Sequence, residues 1–275
     1  MSLIHIDEVK CKKDGFCTKE CPAAIIRLRD GDGFPEMVPG GEAMCIECGH
    51  CVAVCPHGAL NHERVPLNAS PEINRDLALS AEQVIQFLRS RRSVRVFKKD
   101  QDVEKDKIKV LIEIARYAPT ASNAQPLEWL VITDKTEIKR LAGMTVNWMR
   151  RLIKDNPDNP ALMYIPRIVE AWDLGYDAVL RRAPVLIVVS APKEDPNGLV
   201  DISIALAYLE LAAGHMGLGC CWAGLLQNAL RYVPEIKKGL GLPERHIHHY
   251  PMMLGYAKFP YYRMPERKKP TIRWR

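Results

Sequence analysis

No stretch of the 275 residues approaches the roughly 18 to 20 consecutive apolar residues that a bilayer-spanning helix needs, so no membrane association is expected. The opening MSLIHIDEVKCKK lacks the charged-then-apolar pattern of a secretory leader, and the expected compartment is the cytoplasm. Equally missing are a G-x-G-x-x-G turn after a strand and a Walker motif. GLGCCWAG has its glycines at the wrong spacing, which argues against a Rossmann nicotinamide site. The net charge of +6 is modest, and much of the basic excess lies in RSRRSVRVFKK and YYRMPERKKPTIRWR. Two local clusters suit a phosphate group at least as well as a DNA-binding face, so no nucleic-acid partner is expected. The 47% hydrophobic and 26% charged residues are ordinary for a globular chain.

What the chain has in excess is cysteine at one end. Of its nine cysteines, seven fall between Cys11 and Cys55, and the others are the adjacent Cys220 and Cys221. A disulfide scaffold would spread them along a short secreted chain, whereas a dense N-terminal group points to metal. Residues 1–65 are rich in Cys, Gly and Pro with little periodicity, and such a stretch needs something other than a core to hold it. Residues 66–79 read as a linker and 80–275 as the main domain.

Cys45, Cys48, Cys51 and Cys55-Pro56 form C-x2-C-x2-C-x3-C-P, a run suited to a cubane cluster; a zinc site usually shows two well-separated C-x2-C pairs. Cys11, Cys17 and Cys21-Pro22 repeat it, with Asp14 at the second position. The repeat resembles a two-cluster bacterial ferredoxin. That resemblance implies one [4Fe-4S] cluster on Cys45, Cys48, Cys51 and Cys21, and another on Cys11, Cys17 and Cys55 with Asp14 at the remaining corner. A carboxylate holds iron in a sulfide cluster less firmly than a thiolate does. Asp14 either ligates the fourth iron, or leaves a [3Fe-4S] cluster, or is a loop residue beside that corner. Gly15 and Gly49 suit tight loops.

In the main domain, Ser80 with Gln83 makes a capping box, followed by apolar Val84, Ile85, Phe87 and Leu88. EKDKIKVLIEIARYAP reads as an amphipathic helix. LEWLVITD, APVLIVVSAP and MMLGYA read as strands, and DISIALAYLELAAGHMGLG as a buried helix. Elements of both kinds without a βαβ rhythm indicate an α+β fold.

Four motifs stand in order: SRRSVRVF from Ser90, PTASNAQP from Pro119, GLGCCWAG from Gly217 and PERK from Pro265. Together they resemble the nitroreductase family of FMN proteins over about residues 80 to 275. The resemblance implies a mixed sheet flanked by helices, preceded here by the small ferredoxin-like domain, and an FMN cofactor. It places Arg91, Arg92 and Ser93 at the phosphate and ribityl chain, and Arg95 near the pyrimidine edge. Ser122, Asn123 and Gln125 then fall at the ring edge, Gly224 and Leu225 near N5, and Arg267 with Lys268 at a C-terminal phosphate clamp. It implies no catalytic side chain, because the chemistry occurs at N5 of FMN. It also implies a homodimer with sites shared between subunits, the helix from about Asp201 to Met216 forming the dimer core.

The implied activity is reduction of a small organic acceptor such as a nitroaromatic or quinone, with electrons entering through the clusters from a low-potential donor, ferredoxin or NAD(P)H. Alternatives are dehalogenation or ene reduction on the same fold, or a non-catalytic electron-transfer or redox-sensing role. Cys220 and Cys221 could be a redox pair but read as packing. His246, His248 and His249 read as a surface loop entering a strand. Trp148, Met149, Tyr164, Trp172 and Tyr176 could cap the flavin, although core packing explains them as well.

Overall fold

The computed structural model describes residues 2–275, with only the backbone described at Ala161. Contacts divide the chain into two units, residues 1–79 with 122–124, and residues 80–121 with 125–275.

The first unit runs β1 (Ile4–Ile6), α1 (Phe16–Glu20), β2 (Ile26–Leu28), β3 (Pro35–Met37), α2 (Gly41–Met44), α3 (His50–Ala53) and β4 (Leu60–His62). β1 and β4 pair antiparallel, Ile4 opposite His62, which ties the two ends of the module together; β2 and β3 form a hairpin. Gly15 and Gly49 sit at left-handed φ of 70° immediately before α1 and α3, a backbone shape that glycine adopts without a Cβ penalty. The core is small: Ile4, Ile25, Ile26, Val52 and Leu60 with the half-motif cysteines Cys17 and Cys51. Removing the thiols' function would therefore remove a large part of what holds this unit.

The second unit contains α4 (Ala81–Ser90), α5 (Lys105–Ala115), β5 (Glu128–Ile132), α6 (Lys135–Asp155), α7 (Ile165–Asp173), β6 (Val185–Ala191), α8 (Gly198–His215), β7 (Leu218–Trp222), α9 (Gly224–Tyr232), α10 (Pro234–Gly239) and β8 (His248–Tyr256). The strands form one sheet in the order β5-β6-β8-β7. The α+β class is as expected, and within the sheet every described pairing is antiparallel rather than mixed. The helical excursion α6–α7 between β5 and β6 brings the chain back in the reverse direction.

Strand alternation divides the core. On β6, Leu186 and Val188 face the layer made by α6, α7, α9 and α10, while Val185, Ile187 and Val189 face α5 and α8. Burying each such side chain contributes roughly 1.5–3 kcal/mol. α8 is long and apolar enough to cross a membrane by composition alone, but Ile202, Ala205, Leu206, Leu209 and Ala213 are buried against the sheet, so it is a core helix. The capping box is present at the start of α4: Ser80 Oγ accepts from Gln83 N at 3.2 Å, and Gln83 Oε1 accepts from Ser80 N at 2.8 Å. None of α4 is buried, and Val84, Ile85 and Leu88 are exposed.

One local expectation changes, and the packing readings of Trp148, Met149, Cys220 and Cys221 hold. His246 and His249 are buried, not on a surface loop: His246 Nδ1 lies 2.9 Å from Ser190 Oγ, and His249 Nδ1 lies 3.1 Å from Gln227 Oε1. Burial pushes His249 down to about 4, with the Lys237 and Arg231 charges adding. Trp148 and Met149 are core residues, and Trp148 stacks on Tyr232 with centroids 5.8 Å apart, while Tyr164 and Tyr176 are exposed. Cys220 and Cys221 point to opposite faces of β7, into different core clusters, so they are packing groups rather than a facing thiol pair. Burial raises both thiols, Cys220 well above its ordinary value.

Candidate functional site

In the first unit, the helix-and-loop pairs around α1 and α3 gather the sulfur ligands around two separate cavities. One is lined by Cys21, Cys45, Cys48 and Cys51. The other is lined by Cys11, Asp14, Cys17 and Cys55. Each repeat thus sends its last cysteine across to the other repeat's cavity. Around them the walls are apolar, from Ile4, Ile25, Ile26 and Met37 on one side to Ile6, Ala59 and Leu60 on the other.

Burial pushes Cys17 up to about 11, with Cys55, Asp14 and Cys11 adding by charge. Cys51 is likewise pushed up to about 11, by burial and then by Cys48, Cys21 and Cys45. Clustered thiols of this kind stay protonated at neutral pH unless a metal displaces the protons. The donor set of four thiolates, and of three thiolates with one carboxylate, fits iron-sulfur clusters. Ala59 N donates to Cys55 Sγ at 3.3 Å, a backbone contact that would stabilise a ligating thiolate. Asp14 faces its cavity but is already engaged: Oδ1 accepts from Phe16 N at 3.1 Å, and Oδ2 lies 3.4 Å from His57 Nε2.

In the second unit, the segment from Ser90 to Val94 leaves α4 and crosses β7, where Val94 N donates to Cys220 O at 2.8 Å. It can do so because β7 has Gly219 at the crossing; a Cβ there would lie 2.3 Å from Val94 Cγ2. Beside this crossing is a cavity of about 330 Å³ lined in part by Arg91, Arg92, Glu210, His215 and Tyr261. Arg91 Nη1 donates to Glu210 Oε1 at 2.7 Å, while Arg92 has no ion-pair partner among the described residues. Tyr261 Oη donates to the Ser93 carbonyl at 3.3 Å. One neutralised and one free guanidinium, with Ser90, which also lines the cavity, and a tyrosine at hand, suit a phosphate-bearing ligand. Gly224 opens α9, and a Cβ there would meet only Tyr250 Oη at 3.6 Å, so no neighbour among the described residues demands glycine there.

The remaining expected flavin residues are dispersed. Arg95 is exposed, and Leu225 packs at the edge of the core. Arg267 and Lys268 lie in an exposed C-terminal segment without secondary structure. Ser122, Asn123 and Gln125 all hold left-handed φ between 47° and 55°. Residues 122–124 group with the first unit, where Asn123 Nδ2 donates to the carbonyls of Ile46 (3.0 Å) and Glu47 (3.1 Å). Gln125 N donates to Thr120 Oγ1 at 3.0 Å. Sequence reasoning missed Glu210. Its only signal was a carboxylate in the middle of a largely apolar helix, which is rarely buried without a cation.

Two cavities ringed by iron-type donors in one unit, and a cation-lined cavity in an α+β second unit, define the class as an iron-sulfur oxidoreductase of modular build. The chain belongs to the nitroreductase family, whose profile matches residues 88–256; a 4Fe-4S dicluster domain matches residues 9–60. It is similar to an Archaeoglobus fulgidus protein provisionally named NADH dehydrogenase/NAD(P)H nitroreductase, at 26% identity over 64% of this chain and 87% of that one. An iodotyrosine deiodinase of Thermotoga neapolitana is 28% identical over 48% of this chain and 68% of its own length. Among solved structures, an FMN-bound nitroreductase from Bacteroides fragilis shares the fold with a TM-score of 0.55, at 22% identity, over 69% of this chain and 97% of that chain.

Proposed function

We propose that the chain is an FMN-dependent reductase that takes electrons through two iron-sulfur clusters and delivers them to a small organic acceptor such as a nitroaromatic or a quinone. The observation that carries this reading is the pair of four-donor cavities attached to a nitroreductase-family domain. FMN, when bound, would supply two-electron chemistry at N5. Arg92 and Ser93, with Arg267 and Lys268, would hold its phosphate. Glu210 would orient Arg91, and Arg95 would place positive charge by the pyrimidine edge. Ser122, Asn123, Gln125, Gly224 and Leu225 would complete the pocket.

A homodimer is part of this reading. The exposed stripe of Val84, Ile85 and Leu88 on α4 is the apolar surface that supports it. The nine cysteines without a disulfide fit a reducing cytoplasm.

Anaerobic purification with iron, sulfide and flavin quantified tests the cofactors; about one FMN and seven or eight irons per chain are expected. Turnover with reduced ferredoxin and with NAD(P)H, against nitroaromatic and quinone acceptors, tests the activity. Protein that carries both cofactors but reduces no acceptor would favour a pure electron-transfer role. The deiodinase relative favours a second reading, reductive dehalogenation, and release of halide from a haloaromatic substrate would select it.

A further inference from the structure

His62 closes β4 and lies outside the cysteine motif, yet it lines the cavity of Cys21, Cys45, Cys48 and Cys51 and is 2% exposed. Its hydrogen bonds determine which ring nitrogen carries the proton. Nδ1 accepts from two backbone groups, Arg64 N and Val65 N, each at 3.2 Å. A nitrogen that accepts twice has no hydrogen of its own, so in the neutral ring the proton sits on Nε2. Nε2 lies 3.5 Å from Cys45 Sγ, so it donates to that sulfur. The strand holds the ring there, because His62 pairs with Ile4 in the β1–β4 ladder.

We infer that His62 is a positioning and tuning residue, which orients the Cys45 thiolate and raises the reduction potential of the cluster held by Cys21, Cys45, Cys48 and Cys51. Reduction adds one electron to that cluster from an external donor, and part of the added negative charge falls on the cysteine sulfurs. An N–H donor stabilises the more negative state, and no proton is transferred. The cavity of Cys11, Asp14, Cys17 and Cys55 has no such histidine-to-sulfur contact among the described residues; the histidine there, His57, faces Asp14 instead. The two clusters are therefore held unequal by different neighbours.

The test is EPR-monitored potentiometry, with dithionite as reductant, on the anaerobic full-length protein and two variants. In His62→Asn the shorter amide can still accept from Arg64 N and Val65 N but cannot reach Cys45. The reduction equilibrium of one cluster should become about tenfold less favourable, roughly 59 mV more negative for one electron, while the other stays in place. His62→Gln, whose amide reaches further, should restore part of the shift. Two unmoved potentials, or equal movement of both, would overturn the inference. If His62→Asn does not retain iron, pulsed EPR of the unsubstituted protein carrying 15N-histidine decides: a histidine nitrogen coupled to the reduced cluster supports the contact, and none overturns it. The inference rests on the cluster reading above. Iron-free, colourless wild-type protein would sink both, whereas iron-replete protein with unmoved potentials would sink this one alone.

Discussion

Arg91 and Glu210 form a pair 119 residues apart in sequence, Nη1 to Oε1 at 2.7 Å, and the other carboxylate oxygen accepts from Trp222 Nε1 at 3.0 Å. The carboxylate ties α8, β7 and the strap after α4 into one polar node at the edge of an apolar core. Glu210 is nearly buried, while about a third of the Arg91 side chain is exposed. Removing one partner of a fully buried pair costs roughly 3–5 kcal/mol, and solvent at Arg91 reduces this. Glu210→Gln should therefore lower stability by about 1–3 kcal/mol in urea denaturation. An unchanged midpoint would show that the pair contributes nothing.

Gly219 is needed by its neighbour rather than by its own backbone. In Gly219→Ala the new methyl would meet Val94 at 2.3 Å, so the strap must move or the strand must bend. Overpacking of this kind costs about 1–3 kcal/mol. The same substitution at Gly224, where the nearest atom is 3.6 Å away, should leave the stability of the cofactor-free protein nearly unchanged. Thermal melts of the two variants side by side would check this; equal losses would refute it.

Much of the cluster module could be read from cysteine spacing, because a cubane demands three thiolates within one tight turn. The capping box at Ser80 and the apolar run of β6 were visible for the same reason, since each is written in consecutive residues. What escaped depends on residues far apart in sequence. His246 is buried with Ser190, 56 positions away, as its partner, and no local polarity reveals it. Glu210 was hidden in a helix whose apolar composition drew attention from its acids. Asn123 was matched to a flavin edge by motif, and its bonds to Ile46 and Glu47 arise from a left-handed turn that the motif does not encode.

Asp14 offers a sharp spectroscopic test. An Asp14→Cys variant should convert any three-iron EPR signal to a four-iron one, since a thiolate holds the fourth iron more firmly than a carboxylate. It would also remove the contact to His57. An identical spectrum in the variant would place Asp14 outside the ligand set.

His249 gives the stability of the second unit an acid limb. Its imidazole takes up a proton near 6.5 in the unfolded chain but only near 4 when folded. Between those values the unfolded state binds more protons, so stability is full above about pH 6.5 and falls as pH drops toward 4. The loss attributable to this group is on the order of 3 kcal/mol at most. His249→Gln should flatten that limb in chemical denaturation measured at pH 7, 5.5 and 4.5; an equally steep limb would assign it to other groups.

The exchange of Cys21 and Cys55 between the two cavities has a consequence for assembly. Neither repeat owns a complete ligand set, so a chain severed between β2 and β3 would yield two fragments, each one sulfur short. If the two cavities take up iron as proposed, loading should be concerted, and the module is expected to mature as a single all-or-none event rather than as two independent halves.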